Sequence, residues 1–164
     1  MSSVMDMEMT TELLVPVATT RVEGVDFFVP EERFREGVAD GVCIYNIGKR
    51  FKEISFGRIE RDIAPATLCN HRLQEDSFDS QIQQELGDDY ETMFYHLWSL
   101  IQKQGLGQEG FLRVDGYMNR AYISGWSVCV CWLLERGWCL TACSITGQRL
   151  IGSSIVARRP SSRH

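Results

Sequence analysis

Six cysteines, three histidines and a few paired acids are the residues of this chain with chemistry to offer. Cys129, Cys131, Cys139 and Cys143 crowd into fifteen residues and have the ligand types of a four-thiolate zinc site. Their C-x-C and C-x-x-x-C pairs sit inside apolar runs, without the Gly or Pro knuckles of such sites. With Cys43 and Cys69 they read as reduced, buried small hydrophobes, and no metal or other cofactor is expected. His71 stands beside Cys69, but a nucleophile pair needs a third group to orient its base, and none is evident. His96 and His164 have no such neighbour. G-x-S-x-G, H-E-x-x-H and Walker lysine motifs are all missing, so no enzymatic activity is expected. Asp88 and Asp89 are adjacent, and helical neighbours point about 100° apart, so they do not converge on one ion. Gly105-Leu106-Gly107-Gln108-Glu109-Gly110 fits G-x-G-x-x-G, yet a helical pattern rather than a strand precedes it. It reads as a flexible interhelical turn. Arg158-Arg159-Pro160-Ser161 has the spacing of a basophilic kinase site on a solvated tail.

These residues need elements to hold them. The 164 residues suit one domain, and the 44% hydrophobic and 24% charged content is that of a globular protein. The net charge of −5 and the scattered basic residues argue against a nucleic-acid partner. The first twelve residues carry Asp6, Glu8 and Glu12 and no base, which is no secretory signal, so a cytoplasmic location is expected.

Residues 1–30 read as weakly structured, 31–156 as one globular helical domain, and 157–164 as a basic polar tail. Pro30-Glu31-Glu32 opens a helix predicted over 31–55, with Phe34, Val38, Val42, Tyr45 and Phe51 on one face. A connection follows at 56–77. Ile82, Leu86, Tyr90, Phe94, Leu97 and Ile101 recur at helical spacing and predict a long helix over 79–103, with Gly87 in its middle. Glycine there costs about 1 kcal/mol relative to alanine, which close packing against a partner would explain. A further helix is predicted at 108–122. The apolar runs Trp126–Leu134 and Trp138–Ile145, split by Glu135-Arg136-Gly137, predict a buried helical hairpin. Both strand faces of the first run are apolar, so a β-hairpin at 128–145 is the alternative. The predicted fold is therefore all-α, a helical bundle around a central hydrophobic hairpin, with α+β and a C-terminal β-hairpin as the alternative.

The order of these elements resembles the Bcl family of apoptosis regulators, in particular its Bak and Bok branch. Leu86-Gly87-Asp88-Asp89-Tyr90 is similar to that family's death motif. Ser124-Gly125-Trp126-Ser127 stands where the family has Asn-Trp-Gly-Arg, and Arg120 or Arg136 would substitute for the arginine. The resemblance implies regulation of cell death by protein–protein contact. Leu86, Gly87, Asp88, Asp89, Tyr90, Phe94, Arg120 and Trp126 would bind other apoptosis regulators as a homo- or heterodimer. The hairpin at 124–146 would have access to an intracellular membrane, such as the mitochondrial outer membrane. A small α+β module that binds a host protein is the second reading, and a thiol- or zinc-dependent enzyme the third.

Overall fold

The computed structural model describes residues 12–145, 149–150 and 152–159. The chain runs β1 (Leu14–Val22), β2 (Val25–Phe28), α1 (Pro30–Arg33), β3 (Gly37–Ala39), β4 (Val42–Ile47), α2 (Lys49–Ser55), β5 (Glu60–Ile63) and β6 (Ala66–Leu73). It continues through β7 (Ser77–Phe78), α3 (Asp79–Leu86), α4 (Phe94–Lys103), β8 (Asn119–Ile123), β9 (Trp126–Leu133), β10 (Gly137–Ser144), β11 (Arg149–Leu150) and β12 (Ser154–Arg158). One mixed sheet has the order β1-β6-β12-β8-β9-β10-β4-β3. Its β12–β8 and β10–β4 pairs are parallel and its other pairs antiparallel. β2 with β5 and β7 with β11 form two small pairs.

Alternation along the strands sorts side chains onto two faces. Leu68, Val156, Ala121, Ile123, Val128, Val130, Trp138 and Leu140 share the first, sealed with Phe94, Leu97, Trp98, Leu100 and Ile101 of α4. Phe34 sits edge-on to both Phe51 (5.1 Å) and Trp98 (5.6 Å), closing the same core. Leu14, Leu73, Ile155 and Tyr122 share the second face and pack with Ile82 of α3. The remainder of that second face, on β9, β10 and β4, is half-buried or open at Cys131, Cys139, Thr141, Cys143, Cys43 and Tyr45.

Two polar devices hold α4 in place. Glu60 of β5 accepts from Phe94 N and Tyr95 N, both at 2.9 Å, and so caps the positive end of the helix with a carboxylate. Burial raises the Glu60 pKa, against the lowering effect of those two bonds. At the other end, Gln104 is buried and its side chain accepts from Leu112 N and donates to Gln108 O and Leu112 O. Its carbonyl accepts from Trp138 Nε1 at 2.9 Å. The G-x-G-x-x-G loop is therefore tightly packed rather than flexible. A Cβ on Gly105 would lie 2.0 Å from Gly41 O, one on Gly107 2.2 Å from the Trp132 ring, and one on Gly110 2.7 Å from Gln104.

The all-α bundle is overturned by this sheet. The predicted helix 31–55 is α1, β3, β4 and α2, because Gly37 (φ 114°) and Gly41 (φ 78°) take left-handed turns around a hairpin. The predicted helix 108–122 is a loop leading into β8. The predicted helical hairpin is β9 and β10, paired from Leu133↔Gly137 to Trp126↔Ser144, the arrangement weighed as the alternative at 128–145. Each of its strands turns one apolar side into the first core. β1 and β2 lie within 1–30, β5 and β6 within the connection at 56–77, and β12 reaches Arg158. Residues 1–11 and 160–164, with Ser161 and His164, lie outside the described residues.

Candidate functional site

The predicted helix 79–103 is two helices, and the break between them makes the site. Gly87 closes α3 at φ 80°, where a side chain is disfavoured, and Asp89 follows at φ 59°. Ile82, Leu86 and Tyr90 serve the second face of the sheet, whereas Phe94, Leu97 and Ile101 serve the first. The intervening segment carries the chain from one face to the other around the strand ends. Arg158 at the end of β12 fastens it. Its N donates to Tyr90 O at 3.0 Å and its Nε to Asp89 O at 3.1 Å. Thr92 N donates to Tyr122 O at 3.0 Å.

Beside this crossing opens a cleft of about 960 Å³. Arg21 from the end of β1, Arg61 to Thr67 from the β5–β6 turn, Asp89, Met93 and His96 from the crossing and α4, and Arg158 with Arg159 line it. Four arginines thus face two aspartates, in a chain whose net charge is −5. The ion pairs among the described residues are Arg50–Glu53 and Arg113–Asp115, so none of the four is neutralised by one. Asp62, which also lines the cleft, holds φ 51°.

His96 is the most deeply buried lining residue, 2% exposed. Its Nδ1 accepts from Met93 N at 3.0 Å, which leaves the proton of the neutral ring on Nε2. Nε2 has no hydrogen-bond partner among the described residues. Burial, helped by the charge of Arg158, lowers the His96 pKa to about 4. The ring is neutral at physiological pH, and its one N–H is buried.

A second cavity of about 340 Å³ adjoins at Arg158 and Arg159 and is lined by Leu14, Cys69, His71, Glu85, Leu86 and neighbours. Cys69 and His71 share one face of β6, but burial raises the Cys69 thiol, against the charge of Arg159, and lowers His71. A protonated thiol beside a neutral imidazole is no activated nucleophile. Among the described residues no group of three or more His, Cys, Asp or Glu converges to hold a metal, and no helix is long and apolar enough to cross a membrane.

The residues expected to form one docking face are scattered. Leu86 and Tyr90 are half-buried on the second face, and Tyr90 stacks edge-on to Tyr122 at 5.8 Å. Phe94 is sealed in the first core. Gly87 and Asp88 are exposed in the turn, and Asp89 lines the cleft. Arg120 is buried and donates to Ser127 Oγ. Trp126 lies under Arg50, 5.2 Å from its guanidinium. Sequence reasoning missed Arg21, Arg61, Arg159 and His96 as a group. The one local signal was the Arg158-Arg159 doublet, and the other members come together through the sheet. No family model, curated protein or solved structure matches the chain. Neither the fold nor these comparisons identify a Bcl-family member, and the helical-bundle description is withdrawn.

Proposed function

We propose that the protein binds a small organic phosphate, of about nucleotide size, in the arginine cleft. The observation that carries this reading is one open cleft lined by four arginines that form no ion pair among the described residues, with the buried His96 in its wall. Guanidinium is a planar fork of donors suited to phosphate oxygens. Ile63, Ala64, Pro65 and Met93 provide an apolar wall for the less polar part of such a ligand. The cleft volume is at the upper end of the range for small-molecule sites. The acidic remainder of the chain repels anions, which favours this one location.

Isothermal titration with pyrophosphate and ADP, at low and high salt, tests the reading. Binding to the native chain should weaken with salt and fall by at least about tenfold, or 1.4 kcal/mol, in the Arg61→Ala/Arg159→Ala double variant. Absence of binding by pyrophosphate, ADP and inorganic phosphate at millimolar concentration would sink it. So would equal binding by the variant.

A further inference from the structure

A different part of the molecule carries a second chemistry, independent of the cleft. Cys131 of β9 and Cys139 of β10 are register partners in the antiparallel hairpin. Both are free, half-buried thiols on the open part of the second face. Directly opposed residues in such a ladder have Cα atoms about 4.5 to 5.5 Å apart, inside the roughly 4.4 to 6.8 Å that a disulfide spans. The surroundings differ from those of the other cysteines. Cys129 opposes Thr141 and is buried, and Cys143 opposes Ser127. Cys43 donates to Arg136 O at 3.3 Å.

We propose that Cys131 and Cys139 form a cross-strand dithiol that is oxidised to a disulfide by low-molecular-weight disulfides of the glutathione type. Burial raises both thiols; the neighbouring thiol opposes the rise at Cys139 and adds to it at Cys131, which makes Cys139 the attacking sulfur. The Cys139 thiolate attacks one sulfur of the small disulfide. That S–S bond breaks, and one thiolate leaves and takes up the proton Cys139 released. Cys131 then loses its proton and attacks the Cys139 sulfur of the mixed disulfide, and the second thiolate leaves and is protonated. Two protein thiols lose two electrons, and the small disulfide becomes two thiols. Because the strands are already in register, the bond forms without unpairing the hairpin.

The test incubates the reduced full chain with graded ratios of oxidised to reduced glutathione, then alkylates the remaining thiols and maps a tryptic digest by tandem mass spectrometry. Trypsin cuts at Arg136, so the link joins two peptides, and fragmentation separates Cys131 from Cys129 and Cys139 from Cys143. The expected result is a Cys131–Cys139 link formed before any other, with two of the six thiols lost and the circular dichroism of the native chain retained. Cys131→Ser should stop at one glutathione on Cys139, and Cys139→Ser should leave Cys131 open to alkylation. Full alkylation of both at the most oxidising ratio overturns the proposal, as does a first link from either one to Cys43, Cys129 or Cys143.

Discussion

On one side of β9 and β10, Val128, Val130, Trp138 and Leu140 are sealed in the α4 core. On the other side the same strands present Cys131, Cys139, Thr141 and Cys143, half-buried or exposed. Cover causes the difference. α4 brings five core side chains and joins an edge-to-face aromatic set. α3 places only Ile82 fully inside the second core, and packs it with residues of β1, β6, β8 and β12. The first face therefore carries most of the stability, and the molecule keeps its unpaired chemistry at the strand ends and on the open half of the second face.

The sharpest way to break this comparison is to cut the same strand on its two sides. Trp138→Ala removes a fully buried indole and leaves Gln104 O without its donor. It should cost about 4 kcal/mol, read as a fall in the urea midpoint. Cys143→Ser, five residues along and exposed, should change stability by less than about 0.5 kcal/mol. Comparable losses would mean that the second face is as sealed as the first.

Next comes Gly105→Ala. The added methyl would lie 2.0 Å from Gly41 O and 2.9 Å from Val42 Cα, so backbone must yield between the end of α4 and the β3–β4 hairpin. A loss of about 3 kcal/mol is expected, from the same denaturation curves. A nearly neutral result would make this loop as loose as the sequence suggested.

That loop shows what was legible and what was not. The apolar character of 126–134 and 138–145, the interruption at Glu135-Arg136-Gly137 and the amphipathic pattern of 94–101 were all readable. The stripe from Ile82 to Ile101 misled because two short helices that serve opposite faces happened to keep helical phase across Gly87. β12 beside β6 and β8, and β10 beside β4, are non-local pairings with no mark in their own segments. The cleft depends on them. Arg21 and Arg159 are brought together by the β1–β6–β12 end of the sheet and Arg61 by the β5 strand that leads into β6, and no local spacing records that.

A comparable effect, which emerges only in acid, comes from the buried histidine. The His96 pKa lies at about 4 in the fold, against 6.5 for a free histidine. Between those values the unfolded chain binds the proton and the native chain does not, so this contribution is intact above pH 6.5 and is lost as pH falls toward 4. At 1.36 kcal/mol per unit it amounts to about 3 kcal/mol. His71, also lowered by burial, acts in the same direction, while Glu60, raised by burial, partly offsets both just above pH 4.5. His96→Gln keeps an acceptor for Met93 N and cannot titrate, so stability measured from pH 7 to pH 4 should fall less steeply. An unchanged slope in the variant would move the acid sensitivity elsewhere.

The smallest expected change is a gain, and it isolates the hairpin from both faces. Glu135 occupies φ 67° in the β9–β10 turn, where Arg136 N donates to Leu133 O at 2.9 Å. A left-handed conformation is costly for a residue that carries a Cβ and free for glycine, and the third residue of such a turn prefers Gly or Asn. Glu135 is exposed, so its replacement removes no core contact. Glu135→Gly should stabilise by about 0.5 to 1 kcal/mol, because relief of the turn exceeds the extra freedom gained by the unfolded chain. Glu135→Asn should give a smaller gain. The same substitution should leave phosphate binding unchanged, since the turn contributes nothing to the cleft lining. A loss of stability in both variants would mean that the glutamate holds the turn through its side chain, and the hairpin would then owe its register to more than the Val128, Val130, Trp138 and Leu140 side of its strands.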